Sequence, residues 1–522
     1  MTDQQSAPSA PAVSSPTTAA TATRGGLAVA VAKMYFMVIG LLQQVLLTRF
    51  LGTAGYGALS TALSISAVVY NPIVTTSIQG VSRTVARADE DERPSATRRV
   101  LMLHAMFALP LALLFGVFAG PIVRLVHSPH LVTPVRILSA VLLFYGLYAP
   151  LVGVMNGQRR FIWQASFDIA FATLRTALMV GGAVALSRTT NHGVVGAVGG
   201  FAIAAGFICV AALILTGIGR QGTAGPNWRT YLAFVGPVFI GQILLNLLQQ
   251  ADLTVLRYFA AEAALRESLS PLAADPLVGA YRATQLFCFL PYQLLLSITF
   301  VLFPLLSRAH RDQNMTDVKL FVMTGVRLAV IIAGVMVSVI SGLSGPLLRL
   351  VFPTDVATNA TSAMQLLAIG FGAFAIFGIL TTVLVSLKAE RQSAIITGIA
   401  FGLVATLGTL LLRGEPFGAT LLLRTAIATS IGLVLATLIA SHYVHCIAGG
   451  VIGVKTLMRV FLIVTVTIAA GRLWSPTGKV ATVLAAAILV TMNLALLVIT
   501  RELTGRDLGH VLTLFGKRPR AA

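Results

Sequence analysis

Charge is scarce in this sequence: 10% of its 522 residues are charged, against 57% that are hydrophobic. A soluble fold of this length has no way to bury so much apolar side chain, so lipid must be part of the solvent, and a soluble enzyme is excluded. Acids are the scarcer sign, with 17 Asp and Glu against 37 Lys and Arg. The resulting excess of +20 is spread between apolar runs, the way basic residues mark the loops of membrane proteins, and nucleic acid is not an expected partner. Cysteine is nearly missing too. Cys209, Cys288 and Cys446 all fall in apolar segments without paired spacing, which excludes a disulfide framework or a zinc site built on them. His442, His445 and Cys446 are close in sequence but lack a fourth ligand, so no metal and no other cofactor is expected. A phosphate-binding glycine loop and a supported Ser, His and Asp set are absent, so no catalytic residue is assigned and ATP hydrolysis by this chain is not expected.

What is present in quantity is the long apolar run. Crossing ~30 Å of hydrocarbon at ~1.5 Å per residue takes about twenty residues. Runs of that kind recur at 26–48, 55–82, 99–120, 132–155, 161–187, 193–217, 230–256, 277–306, 320–350, 361–387, 393–412, 418–441, 457–474 and 479–500. The fold class expected is therefore all-α: a polytopic membrane protein of about 14 transmembrane helices, kinked at internal prolines such as Pro72 and Pro291. Residues 1–23, rich in Ala, Ser, Thr and Pro, read as a disordered tail, and the first span is expected to remain in the mature chain. Arg83, Arg87, Arg93, Arg98 and Arg99, in and around the loop after the second span, give the strongest bias toward a cytoplasmic N-terminus, and an even number of spans then puts both termini inside. The tail at 501–522, with Lys517 to Arg520, is expected to touch anionic membrane lipids.

The chain also repeats itself. LLQQVLLT from Leu41 to Thr48 returns as LLQQADLT from Leu247 to Thr254, and IAFATL from Ile169 returns as IAFGLVATL from Ile399. Gly196-Ala197 and Gly418-Ala419 then open the sixth and twelfth spans. These matches divide the chain into an N-lobe (24–218) and a C-lobe (229–445) of six helices each, with two appended spans over 456–500.

Charged groups inside spans mark bundle interiors or wet cavities. The acids are Asp168 and Asp252; the bases are Lys33, Arg175, Arg282, Arg327 and Arg424. Net positive charge suits an anionic cargo. Arg175 is a candidate for gripping phosphate through a planar fork, and Asp168, seven residues earlier, shares its helix face. Lys33 either meets incoming phosphate or snorkels to the interface, as Arg327 and Arg424 are expected to do. Asp252 follows a polar stripe containing Gln242, Asn246, Gln249 and Gln250; it is either an ion-coupling site, with Asp168 a second, or one half of a charge pair with Arg282. Gln43, Gln44, Gln249 and Gln250 are candidates for sugar hydroxyls or for holding helices together.

RFLGTAGYGALSTA, from Arg49 to Ala62, is similar to the Leu-Gly-x-x-x-Tyr-Gly signature of Wzx-type polysaccharide flippases in the multidrug/oligosaccharidyl-lipid/polysaccharide flippase superfamily. The eighth span, Val278 to His310, resembles their Gly-x-Tyr-x-x-Ala stretch closing in Phe-Pro-x-Leu-Ser-Arg, with Ala283 one residue early. The resemblance implies two six-helix lobes in a V, alternating access, and a bacterial or archaeal inner membrane. The cargo it implies is an undecaprenyl-pyrophosphate-linked oligosaccharide for O-antigen, capsule or exopolysaccharide; a polysaccharide polymerase is a conceivable partner. A peptidoglycan-precursor (lipid II) flippase and a cation-coupled multidrug exporter are the alternatives. The first lacks its arginine-rich early spans here, and the second would need more acids than two.

Overall fold

The computed structural model describes residues 16–190, 192–222, 225, 227–474 and 476–503. The tail at 504–522 lies outside them, as do residues 1–15, whereas residues 16–23 of the expected N-terminal tail are helical. No strand occurs among the described residues. The helices are α1 (Pro16–Arg87), α2 (Arg93–Val117), α3 (Ala119–Leu125), α4 (Val132–Gly157), α5 (Phe161–Thr190), α6 (Gly193–Thr216), α7 (Trp228–Arg266), α8 (Ala274–Cys288), α9 (Leu290–Arg311), α10 (Met315–Gly342), α11 (Ser344–Val351), α12 (Thr354–Ser386), α13 (Glu390–Leu412), α14 (Ala419–Ala448), α15 (Val454–Leu473) and α16 (Lys479–Ile499).

Among the described residues twelve helices are long and apolar enough to cross a membrane, or thirteen when the bent stretch Pro271–Thr299 with Leu302–Arg311, which holds α8 and α9, is taken as one span. One of the twelve is the Val31–Arg87 part of α1. Its 57 residues would run ~85 Å at ~1.5 Å per residue, more than two bilayer cores. The backbone leaves the helix at Gly52 (φ 68, ψ 175), a conformation open to glycine and costly for a residue with a Cβ. α1 is therefore two crossings joined at Gly52, and the passes reach fourteen. The helix runs on through Pro72, and Pro291 sits in the first turn of α9.

The buried apolar side chains separate into two main bundles. Leu47, Tyr56, Leu142, Met155 and Phe201 belong to one, built from α1 to α6. Leu256, Tyr281, Phe374, Phe377 and Leu380 belong to the other, built from α7 onward. Each bundle repeats the same neighbours: α5 on α6 as α13 on α14, α4 on α6 as α12 on α14, α2 on α4 as α10 on α12, and α3 on α4 as α11 on α12. Close packing inside the first bundle uses small residues, since a Cβ on Gly196 would lie 2.0 Å from the Gly182 carbonyl oxygen.

α15 and α16 attach to the second bundle at α10. Asn493 on α16 donates to Ser338 Oγ on α10 (3.0 Å) and Thr467 Oγ1 on α15 (3.2 Å), polar glue between three helices. Arg327 does not snorkel as its position suggested. It pairs with buried Glu502 (2.9 Å), which also meets Arg459 (3.4 Å), so the chain beyond α16 is tied back to α10 and α15. Arg424 likewise turns to Glu415 (2.9 Å) rather than to the interface.

Candidate functional site

Between the bundles lies a cavity of about 150 Å3. The first bundle supplies Gln43, Gln44 and Tyr70 from α1, Arg175 from α5 and Phe201 from α6. Gln250 of α7 and Arg282 of α8 close it from the second bundle. Two guanidinium groups line it and no carboxylate does.

Arg175 is held on several sides. Its Nε donates to Gln43 Oε1 (3.1 Å), which also accepts from Thr176 Oγ1 (3.1 Å). The guanidinium plane lies near the rings of Phe36 (4.8 Å), Phe171 (5.7 Å) and Phe201 (5.8 Å), which favour a cation and fix its direction without neutralising it. Asp168 shares the α5 face but does not serve Arg175. It pairs with Lys33 at 2.9 Å, so Lys33 crosses to α5 instead of snorkelling. The α1–α5 seam reads in order as Lys33 to Asp168, Tyr35 to Thr173 (2.8 Å) and Gln43 to Arg175.

Asp252 and Arg282 are adjacent without touching. The carboxylate accepts from Tyr281 Oη (2.9 Å) and Gln285 Nε2 (2.8 Å), and Gln285 Oε1 in turn accepts from Arg282 Nη1 (2.8 Å). The direct charge pair, one of the two alternatives the sequence left open, is replaced by a relay through Gln285. Arg282 and Gln285 are three apart on α8 and share a face, so the amide stands between the charges. Arg282 thereby keeps its positive charge facing the cavity.

Five of the seven sequence-expected cargo residues meet at this cavity: Arg175, Arg282, Gln43, Gln44 and Gln250. Lys33 and Gln249 do not line it. His442 and Cys446 approach to 3.8 Å, and no group of three metal-capable side chains occurs among the described residues.

Around the cavity the bundles touch at both faces. Take the basic face as the one carrying Arg83 to Arg99. On the opposite face α1 crosses α8 at glycines: a Cβ on Gly57 would lie 1.9 Å from the Asp275 carbonyl oxygen, and one on Gly279 would lie 2.2 Å from the Thr53 carbonyl oxygen. Thr53 also donates to Asp355 (2.9 Å). Beside this crossing Asp275 pairs with fully buried Arg257 (2.9 Å) and with His130 of the other bundle (3.1 Å), and Arg257 Nε donates to Ser128 (2.6 Å). Sequence reading passed over this cluster because its members stand at span ends, where charges look solvated. Nearer the basic face, Asn71 donates to Asn246 (2.9 Å), and His104 bridges Ser77 (3.1 Å) to Tyr231 of α7 (2.7 Å).

The sequence matches the polysaccharide biosynthesis protein family over residues 22–310. Among solved structures it is similar to the lipid II flippase MurJ in an inward closed conformation, with a TM-score of 0.70, 15% identity, and 92% of this chain and 99% of that one covered. It is also similar to a MOP superfamily transporter from Pyrococcus furiosus, with a TM-score of 0.58, 14% identity, and 82% and 96% covered. A mutant of a Vibrio cholerae MATE transporter matches with a TM-score of 0.59, 15% identity, and 82% and 98% covered. Among curated proteins none matches. At these identities the structural likeness is one of fold.

Proposed function

The chain belongs to the polysaccharide biosynthesis protein family, and from that premise we propose that it flips an undecaprenyl-pyrophosphate-linked oligosaccharide across a bacterial inner membrane by alternating access. The observation that carries the reading is the cavity between the bundles, with Arg175 and Arg282 exposed to it and no carboxylate in its lining. A pyrophosphate is the part of such a cargo that lipid tolerates least. Two guanidinium groups in a low-dielectric space offer it charge-assisted, fork-shaped hydrogen bonds. Gln43, Gln44 and Gln250 offer amides to the sugar next to it.

Both termini are placed in the cytoplasm, with the basic face inward and the glycine crossing outward. Exchange between states then requires the Gly57–Gly279 crossing to part while the contacts of α7 with α1 and α2 tighten or shift. Asp252 reaches the cavity through Gln285 and Arg282, so an ion bound at that carboxylate would be felt by the guanidinium that grips cargo. Membrane lipids surround the chain, and a polymerase that consumes the exported unit is the natural partner. Asp168, paired with Lys33, is a second candidate for ion coupling.

A second reading, transport of the peptidoglycan precursor, is favoured by one observation: the likeness to MurJ covers 92% of this chain, against 82% for the MATE-type transporter. Gene deletion separates the two. Loss of one surface polysaccharide in living cells supports the leading reading, and death with accumulated peptidoglycan precursor supports the second. The multidrug reading is disfavoured by a cavity lined with cations.

A further inference from the structure

A second, larger cavity of about 370 Å3 opens at the basic face, where the two bundles meet. Arg83 and Arg87 line it from the end of α1, Thr230 and Phe234 from the start of α7, and Glu92 stands before α2. The two arginines are four residues apart and share a helix face. The Arg83 guanidinium lies 3.9 Å from the centroid of the Phe234 ring, which orients the fork while leaving its charge uncompensated. No ion pair to Arg83 or Arg87 occurs among the described residues. Hydroxyls of Thr84 and Thr230 flank the space.

We propose that this cavity is a seat for the phosphodiester headgroup of an anionic phospholipid. Charge balance selects that ligand. Two arginines against Glu92 leave a single net positive charge, which fits one phosphodiester, whereas the cavity between the lobes has two arginines, no acid, and a better fit to pyrophosphate. The location fits as well, since the cavity sits at a span end where headgroups lie, and a basic pocket between helices at that depth attracts anionic lipid. Its walls come from both bundles, so the seat exists while the start of α7 is docked on α1 and α2, as Tyr231 is through His104. A bound headgroup therefore favours this arrangement of the bundles, whatever the cargo.

The test uses the purified full-length chain and native mass spectrometry against phosphatidylglycerol, with phosphatidylcholine as the neutral comparison. The intact chain retains one phosphatidylglycerol in preference to phosphatidylcholine. Arg83→Gln and Arg87→Gln each raise its dissociation constant roughly fivefold, the effect of removing one basic residue near anionic lipid. Glu92→Gln lowers it, a gain that misfolding cannot imitate and that decides the matter should the arginine variants fail to fold. Equal retention of the two lipids, unchanged affinity in Glu92→Gln, or one-for-one displacement of the lipid by undecaprenyl pyrophosphate would each overturn the proposal. The readout involves no transport, so it is independent of the fate of the cargo assignment.

Discussion

Substituting Gly57 by alanine should bias the protein toward the state that is open on the face opposite the arginine-rich loops. The added Cβ would stand 1.9 Å from the Asp275 carbonyl oxygen and 2.7 Å from the Gly279 nitrogen. Both are backbone atoms of α8 and have no rotamer by which to yield. A Cβ essentially never sits within 3.0 Å of such an atom, so the two bundles must separate by at least about 1 Å at the crossing. Overpacking of this kind costs ~1–3 kcal/mol. Charged to one state of a two-state equilibrium, that is a shift of roughly 5–150-fold. The assay places cysteines at Thr53 and Asp355, which hydrogen-bond across the crossing at 2.9 Å, in a chain carrying Cys446→Ser to remove the exposed native thiol. The rate of linking by a short bifunctional thiol reagent reports closure. Gly57→Ala should slow it by about an order of magnitude at unchanged protein level. Gly196→Ala supplies the contrast: its clash with the Gly182 carbonyl oxygen is within one bundle, so it should lower protein level and leave the linking rate of surviving protein alone. An unchanged rate in Gly57→Ala would refute the role given to the crossing.

The relay through Gln285 separates two neighbouring charges experimentally. Arg282→Ala leaves Asp252 with both of its side-chain donors, so protein level should hold while export falls. Asp252→Leu strands the Tyr281 hydroxyl and the Gln285 amide in a buried site, at ~1–3 kcal/mol each, and should lower protein level on a quantitative blot; equal losses in the two variants would contradict the relay. Glu502→Gln should loosen the last two spans by removing the charge that Arg327 and Arg459 share. Since both arginines are more than a third exposed, the expected loss after screening is ~1 kcal/mol, seen as a lower thermal midpoint, and an unchanged midpoint would mean the tie is unimportant.

Much of the architecture was legible because lipid imposes it. Run lengths located the crossings, and the two LLQQ copies lie in α1 and α7. One further repeat was open to reading and passed over: Gly120 to Val126 reads GPIVRLV and Gly345 to Val351 reads GPLLRLV, and these segments form α3 and α11, the short helices after the third and ninth crossings. The family signatures proved to be mechanical parts. Gly52 breaks α1, Gly57 and Gly279 make the crossing, and Tyr281 holds Asp252.

Pairings between helices were not legible. That Asp168 chooses Lys33, or that Gln285 stands between Asp252 and Arg282, depends on the rotation of each helix about its axis, which weakly amphipathic, nearly all-apolar sequences do not encode. Arg257 was missed for a related reason. At the end of a long span it resembles a solvated loop charge, and only its contact with Asp275 and Ser128 reveals that the closing of the two bundles buries it.

Whether the arginine-lined cavity carries a lipid pyrophosphate is settled by purified protein in sealed vesicles containing a fluorescent undecaprenyl-pyrophosphate-linked sugar, with the fraction reaching the far leaflet followed over time. The intact chain should move this lipid and leave a phosphatidylcholine probe in place, and the Arg175→Gln, Arg282→Gln double variant should fall to the protein-free rate while remaining folded. Movement by the double variant at the rate of the intact chain would remove the two guanidinium groups from the cargo site.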